Sequence, residues 1–172
     1  MHICNNQLSK TTLELDSHAD TSILSRHALI ILYYNRPVFV VGYDESLGTH
    51  VYQTVSGVVA YTDPTTRKML HLVINQAIHI PHLDHYLLCP MQCHVNDMTI
   101  KKMPKFLVTR PTDHTHALTH QPGRPLTAGH SPTRAKGGDI YVRNVHSDDF
   151  YSERYPHLHL TSETLTWDPQ TP

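Results

Sequence analysis

Leu13-Glu14-Leu15-Asp16-Ser17-His18-Ala19-Asp20-Thr21-Ser22 is the stretch on which the fold of this chain turns. Leu13 and Leu15 alternate with Glu14, the period-two pattern of a strand with one buried face. At Asp16 the pattern stops and small polar residues take over, which predicts a turn. A strand anchored by Leu13 and Leu15 would fix the Asp16 carboxylate at the mouth of a β-barrel. Ser17 can donate a hydrogen bond beside it, and Thr21 and Ser22 can hold the loop's backbone through their hydroxyls. The plain alternative is a turn or cap role for Asp16, since Asp and Ser are favoured in such places.

Working outward, the chain reads as a succession of short strands. Residues 1–10 are polar, a disordered lead or a first edge strand. Ile23 to Tyr34 is apolar and reads as a strand and turn or as a helix. Arg36-Pro37 breaks a helix there. Val38-Phe39-Val40-Val41 is a strand, and residues 42–48 are its turn. His50 to Tyr61 is a second long strand with a bend or bulge expected at Ser56-Gly57. Residues 62–66 turn, and Met69 to Ile74 returns, so 38–74 reads as a β-meander. Ala77 to Ile80 suits another strand, closed by Pro81. Leu87-Leu88 is an apolar pair suited to plugging a core. Val95 to Ile100 and Phe106 to Val108 suggest two last short strands. Six or so strand candidates at intervals of about ten residues, without a long helix, predict an all-β barrel or sandwich.

The remainder looks different. Residues 109–138 are rich in Thr, His, Pro and Gly, which predicts a disordered linker without a core of its own. Residues 139–172 regain aromatics without an amphipathic pattern and read as a largely irregular tail. The expected division is 1–108, 109–138 and 139–172.

Composition excludes some classes. The 172 residues carry a formal net charge of −1, so no basic footprint for nucleic acid is present. The hydrophobic fraction is 39%, low for a chain packed along its whole length. Sixteen histidines make surface charge sensitive to pH below neutrality. Three cysteines, Cys4, Cys89 and Cys93, form no even disulfide framework and suit a reducing compartment. The N-terminus lacks the basic and apolar regions of a signal peptide. The longest apolar run, Ala28 to Tyr34, is far short of the roughly 20 residues a membrane span needs. An intracellular, cytoplasmic protein without membrane contact is expected.

Two blocks together resemble one family. Leu15-Asp16-Ser17, Ala19 and Asp20-Thr21 resemble the catalytic loop of retropepsin-like aspartic proteases. The later Ile78-His79-Ile80-Pro81-His82-Leu83 and Tyr86-Leu87-Leu88 resemble the apolar-Pro-x-Leu block and Leu-Leu pair near the end of the protease region in copia-type LTR retrotransposon polyproteins. Cys89-Pro90-Met91-Gln92-Cys93 looks like the wording of a subgroup. The resemblance covers about residues 11–108. Tyr141-Val142-Arg143 and Leu165-Thr166-Trp167-Asp168-Pro169 resemble the spacer that follows the protease there, and no integrase or reverse-transcriptase motif is present, as in a fragment or relic. The resemblance implies a small closed retropepsin-like barrel with a flap hairpin, an aspartic endopeptidase activity and the chain's own polyprotein as substrate, with no cofactor.

That chemistry uses two carboxylates about 3 Å apart that share one proton. The chain carries one Asp-Ser motif in its predicted folded part, so the resemblance implies a homodimer in which Asp16 meets its counterpart across a two-fold axis. The expected site is Asp16 and Ser17 with His18, Ala19, Asp20 and Thr21 completing the loop. Residues 48–62, with Gly48, Ser56 and Gly57, are the candidate flap, and the 63–67 turn is a second. His18 stands where the family has Gly. A side chain there would crowd the axis, and a cationic imidazole would depress the carboxylates. A protease fold that dimerises without cleaving is therefore a second expectation.

A third reading starts from metal ligands. His79, His82, His85, Cys89, Cys93 and His94 are dense in imidazole and thiol, and four of them could build a tetrahedral zinc site. Asp16, His18 and Asp20 would share one face if that stretch stayed a strand. Neither spacing is that of a standard zinc finger.

Overall fold

The alternation at Leu13 to Leu15 does form a strand, β1 (Lys10–Leu15), and it lies inside a sheet with a neighbour on each side. Leu13 is fully buried, Leu15 packs against the same core and Glu14 is exposed. The computed structural model describes residues 10–41, 48–64, 66–102, 116–120, 124–127 and 139–169. The predicted lead before residue 10, Cys4, the 42–47 turn and the Phe106 to Val108 strand lie outside them.

The fold is mostly β. After β1 come β2 (Ile23–Leu24), β3 (Leu29–Val41), β4 (Thr49–Thr62), β5 (Met69–His79), β6 (Tyr86–Leu88), the helix α1 (Pro90–Val95) and β7 (Met98–Lys102). The C-terminal third adds β8 (His116–His120), β9 (Arg124–Thr127), β10 (Asp139–Arg143), α2 (Ser147–Tyr151) and β11 (His157–His159). Among the described residues, no helix is long and apolar enough to cross a membrane.

Six strands form a hydrogen-bonded ring. β5 pairs with β2, β2 with β6, β6 with β1, β1 with β10, β10 with β4, and β4 again with β5. Following the register from Thr54 through Ile78, Ile23, Leu87, Glu14 and Asp139 leads back into β4 at its far end, not at Thr54. Such stagger is what closing a tilted sheet on itself requires. Leu13, Leu24, Val55, Val59, Leu72, Ile74, Tyr86, Leu88 and Val142 fill the inside. β7, β8 and β9 form a separate three-stranded sheet whose Met98 and Leu118 join the same core.

Bulges carry the long strands round. The register of β4 shifts at the expected Ser56-Gly57, between Val55 and Gly57, but the extra residue lies on the partner strand and not in β4. A Cβ on Gly57 would sit 2.6 Å from Leu24 Cδ1, so the absent side chain lets β2 pack against β4. Opposite, Gln76 has φ 54° and is the extra residue of β5. The two strands expected at 69–74 and 77–80 are thus one strand with a bulge in it. Pro81 follows its end, as predicted.

Three expectations need correction. The end of the apolar run, Leu29 to Tyr34, and the Val38-to-Val41 strand are not separate elements, and that part of the run is not a helix; one strand contains both and Arg36-Pro37. This strand, β3, is kinked at Asn35 (φ 52°) with a register shift between Tyr33 and Pro37. Pro37 is tolerated because β3 is the outermost strand of the sheet among the described residues, with β4 as its neighbour. Within the expected linker, His116–His120 and Arg124–Thr127 are paired strands; the rest of 109–138 lies outside the described residues. Residues 139–169 are not the largely irregular tail expected there. β10 is the ring strand between β1 and β4, and β11 adds to β5. Ile140, Val142 and Leu160 are buried, and that apolar area in the sheet outweighs the segment's polar composition.

One buried histidine links this segment to the ring. His71 on β5 is 1% exposed, and its Nδ1 makes no hydrogen bond. Its ring lies 5.2 Å from Tyr155, 5.5 Å from His157 and 6.0 Å from Phe150, and Phe150 stacks on His157 at 4.4 Å. Burial, and then the neighbouring His157, holds its pKa below the ordinary value, while Asp149 pulls the other way. Asp149 is itself paired with Arg154 at 3.0 Å, which lies over Tyr155. The unfolded chain therefore binds a proton at His71 more readily than the folded one. Its contribution to stability is complete above about pH 6.5 and is lost as pH falls below that value. Thermal melts between pH 7.5 and 5 should show a declining midpoint, and His71→Phe should flatten that decline. An unchanged slope in the variant would remove His71 as its source.

Candidate active-site loop

Asp16 lies just past the end of β1, beside the end of β6. Its N–H donates to Leu88 O at 3.2 Å, prolonging the parallel pairing of the two strands by one bond. The chain then turns tightly. Ala19 N–H donates to Asp16 O at 3.3 Å, and His18 N–H donates to Asp16 Oδ1 at 2.9 Å. This is an Asx turn, the local bond a short carboxylate makes with the backbone two residues on. The donor beside Asp16 is thus the His18 backbone, not the Ser17 hydroxyl that the sequence suggested. The His18 ring points outward: its side chain is 94% exposed, against 33% for Asp16, with Nδ1 to Oδ1 at 3.6 Å.

The far end of the loop is held much more firmly. Ser22 is fully buried and makes three bonds, one to β5 and two to α1 and the residue that caps it. Its carbonyl accepts Ile78 N–H at 2.8 Å, its hydroxyl accepts Cys89 N–H at 2.9 Å, and its N–H donates to Gln92 Oε1 at 2.7 Å. Gln92, on the buried face of α1, also donates from Nε2 to Gln76 O at 3.1 Å. The bulge at Gln76 turns that carbonyl towards the helix. α1 begins at Pro90, whose fixed φ and missing N–H suit a first helical position. Thr21 Oγ1 and Asp20 O both accept the indole N–H of Trp167, at 3.3 and 3.0 Å. The hydroxyls of Thr21 and Ser22 do not bond the loop's own backbone as expected; each accepts from a residue far away in sequence, Trp167 and Cys89. Tyr86 on β6 is fully buried beneath this region, and burial pushes its phenol up to about 12, so it stays neutral.

Of the expected loop residues, the structure joins Asp16, His18 and Ala19 in one turn and leaves Ser17 exposed on it. Asp20 and Thr21 lie on the side that meets Trp167. Gln92, Gln76 and Trp167 were missed as parts of the site. The Pro90 that starts α1 is a signal for the first of these; nothing local in the sequence connects residue 167 to residue 20.

The flap expectation changes in extent. The inner part of the 48–62 candidate, Thr54 to Tyr61, is core. The outer part pairs with β3 as a projecting hairpin, Pro37 to Val41 against Thr49 to Gln53, with Phe39 and Val51 opposite each other and exposed. Its tip, 42–47, lies outside the described residues. The 63–67 turn joins β4 to β5 and is tied to itself by Arg67 N–H to Asp63 O at 2.9 Å.

The metal reading finds no geometry. Among the described residues, no three His, Cys, Asp or Glu side chains converge as a metal site. Cys89 and Cys93 are buried in the core and His94 is exposed. His82 lies 6.0 Å from the Tyr52 ring, and burial lowers the pKa of His79. Asp16, His18 and Asp20 sit in a turn, not on one strand face. No family model, curated protein or solved structure matches the chain.

Proposed function

We propose that the chain is a retropepsin-like aspartic endopeptidase subunit of the copia-type retrotransposon class, acting on a polypeptide as a homodimer with one Asp16 from each copy. One observation carries this reading. Asp16 stands at the end of a buried ring strand, with its Oδ1 fixed by the N–H of the residue two positions on and the loop behind it anchored by Ser22. That N–H is the donor which the family's Gly would offer, so His18 preserves the backbone function while adding a side chain. Two such carboxylates brought together across an axis would share a proton, one activating water and the other protonating the peptide carbonyl. The β3–β4 hairpin arm supplies the water-excluding cover.

The experiment is digestion of a denatured protein by the purified full chain between pH 4 and 6. Cleavage is expected, and Asp16→Asn should reduce it to background. Cleavage that survives Asp16→Asn would exclude Asp16 from the chemistry. His18→Gly should raise the rate by removing an imidazole 3.6 Å from the carboxylate.

The exposed His18 ring favours a second reading: a non-catalytic module of the same fold that dimerises. It predicts a dimer by light scattering with no cleavage in either the parent or His18→Gly.

A further inference from the structure

Along one side of β5 the pairing partners change. β11 bonds to residues 71–73 and β2 to residues 78–79. Between them lies the bulge, and here the chain's own residues 160–167 run along the strand. Leu160 N–H donates to Val73 O at 2.8 Å. Asn75 and Gln76, both buried, then hold the segment chiefly by its main chain. Asn75 Nδ2 donates to Thr161 O at 2.9 Å. Gln76 Nε2 donates to Ser162 O at 3.0 Å and Leu165 O at 2.5 Å, and Gln76 Oε1 accepts Trp167 N–H at 2.7 Å. The Thr161 hydroxyl adds bonds to the N–H and C=O of Asn75.

Primary amides carry two donors and an acceptor, so an adjacent buried pair can satisfy successive peptide groups of an extended chain whatever its side chains. The path leads straight to the candidate catalytic loop through the Trp167 indole on Asp20 and Thr21. On its other side, Arg36 at the kink of β3 reaches the same Gln76 Oε1 at 3.2 Å. Between Gln76, Gln92 and Trp167 there remains room for no more than about one water molecule, so the segment fills its path closely.

We propose that Asn75, Gln76, Gln92 and the 20–22 loop form a groove for an extended polypeptide, and that residues 160–167 are its built-in occupant, latched by Trp167. The groove stands on its own geometry; its role, keeping other polypeptides away from the Asp16 loop until the latch opens, rests on the protease reading. A tethered occupant acts at a millimolar effective concentration, so it excludes a free peptide of similar affinity.

The test uses the full chain and a labelled peptide spanning residues 157–169. The chain has one tryptophan, so indole emission reports the latch directly. Trp167→Ala should bind the peptide at least about tenfold more tightly than the parent, because the competing tether is released. Amide exchange at Gln76 and Ser22 should quicken in the variant and slow again when peptide is added. If Trp167→Ala loses its sheet signal in circular dichroism, Trp167→Phe, which keeps an aromatic anchor without the indole donor, carries the same comparison. Equal affinity for parent and variant, or binding that leaves Gln76 and Ser22 unprotected, overturns the groove. A variant that binds peptide but never cleaves supports the groove and removes the protease reading. A chain that cleaves, with Trp167→Ala no faster and no peptide bound, keeps the protease reading and removes the groove.

Discussion

A chain ending at residue 138 will not fold cooperatively. β10 would be missing, and β1 and β4 would each lose their partner in the ring. Ile140, Val142 and Leu160, all at 2% exposure or less, would be removed from the core. Emptying a buried aliphatic site costs about 2–5 kcal/mol. Three such losses match a whole domain's stability of about 5–15 kcal/mol. The two uncovered edges add a second penalty, because an open strand edge pairs with other chains. Thermal circular dichroism and limited proteolysis of the truncated and full chains check this. A sharp transition in the truncated chain, within a few degrees of the full one, would mean that the ring closes without β10.

Gln92→Leu should be the most costly single change near the loop. The two side chains are similar in size, so packing is nearly unchanged. What disappears is the bridge from Ser22 N–H to Gln76 O. Both ends are main-chain groups of buried residues. Leaving each unpaired costs about 1–3 kcal/mol, so a loss of about 2–6 kcal/mol is expected. Urea unfolding measures it as a lower midpoint at unchanged slope. Hydrogen exchange should show Ser22 released while the amides of β4 stay protected. A neutral result would assign the anchoring of the loop to its bonds with Cys89 and Ile78 instead.

The parts of this fold that depend on neighbouring residues were readable in the sequence. The Leu13/Leu15 alternation gives β1, Ser56-Gly57 marks where the register of β4 shifts, and Pro81 closes β5. Asp16 at the strand end was equally local. What was unreadable depends on distant partners or unusual backbone. Asn35 and Gln76 adopt left-handed conformations that their residue types do not announce, so β3 and β5 each looked like two shorter pieces. α1 is six residues long, too short for a periodic pattern. β10 holds only Ile140 and Val142 as buried anchors, and its placement is decided by β1 and β4, whose open edges no local window shows. For the site, the same division applies. The Asp16 turn is written in adjacent residues, whereas its anchors at Gln92 and Trp167 come from 70 and 146 or more positions away.

The place of β10 also has a consequence in time. Lys10 pairs with Arg143 and Glu14 with Asp139, so the first strand made waits for nearly the last before the ring can shut. Closing so long a loop is entropically slow, and topologies of this kind fold late and slowly. During synthesis, Leu13, Leu24 and the inner half of β4 will be finished but uncovered. The growing chain is then at its most adhesive just before it becomes able to fold.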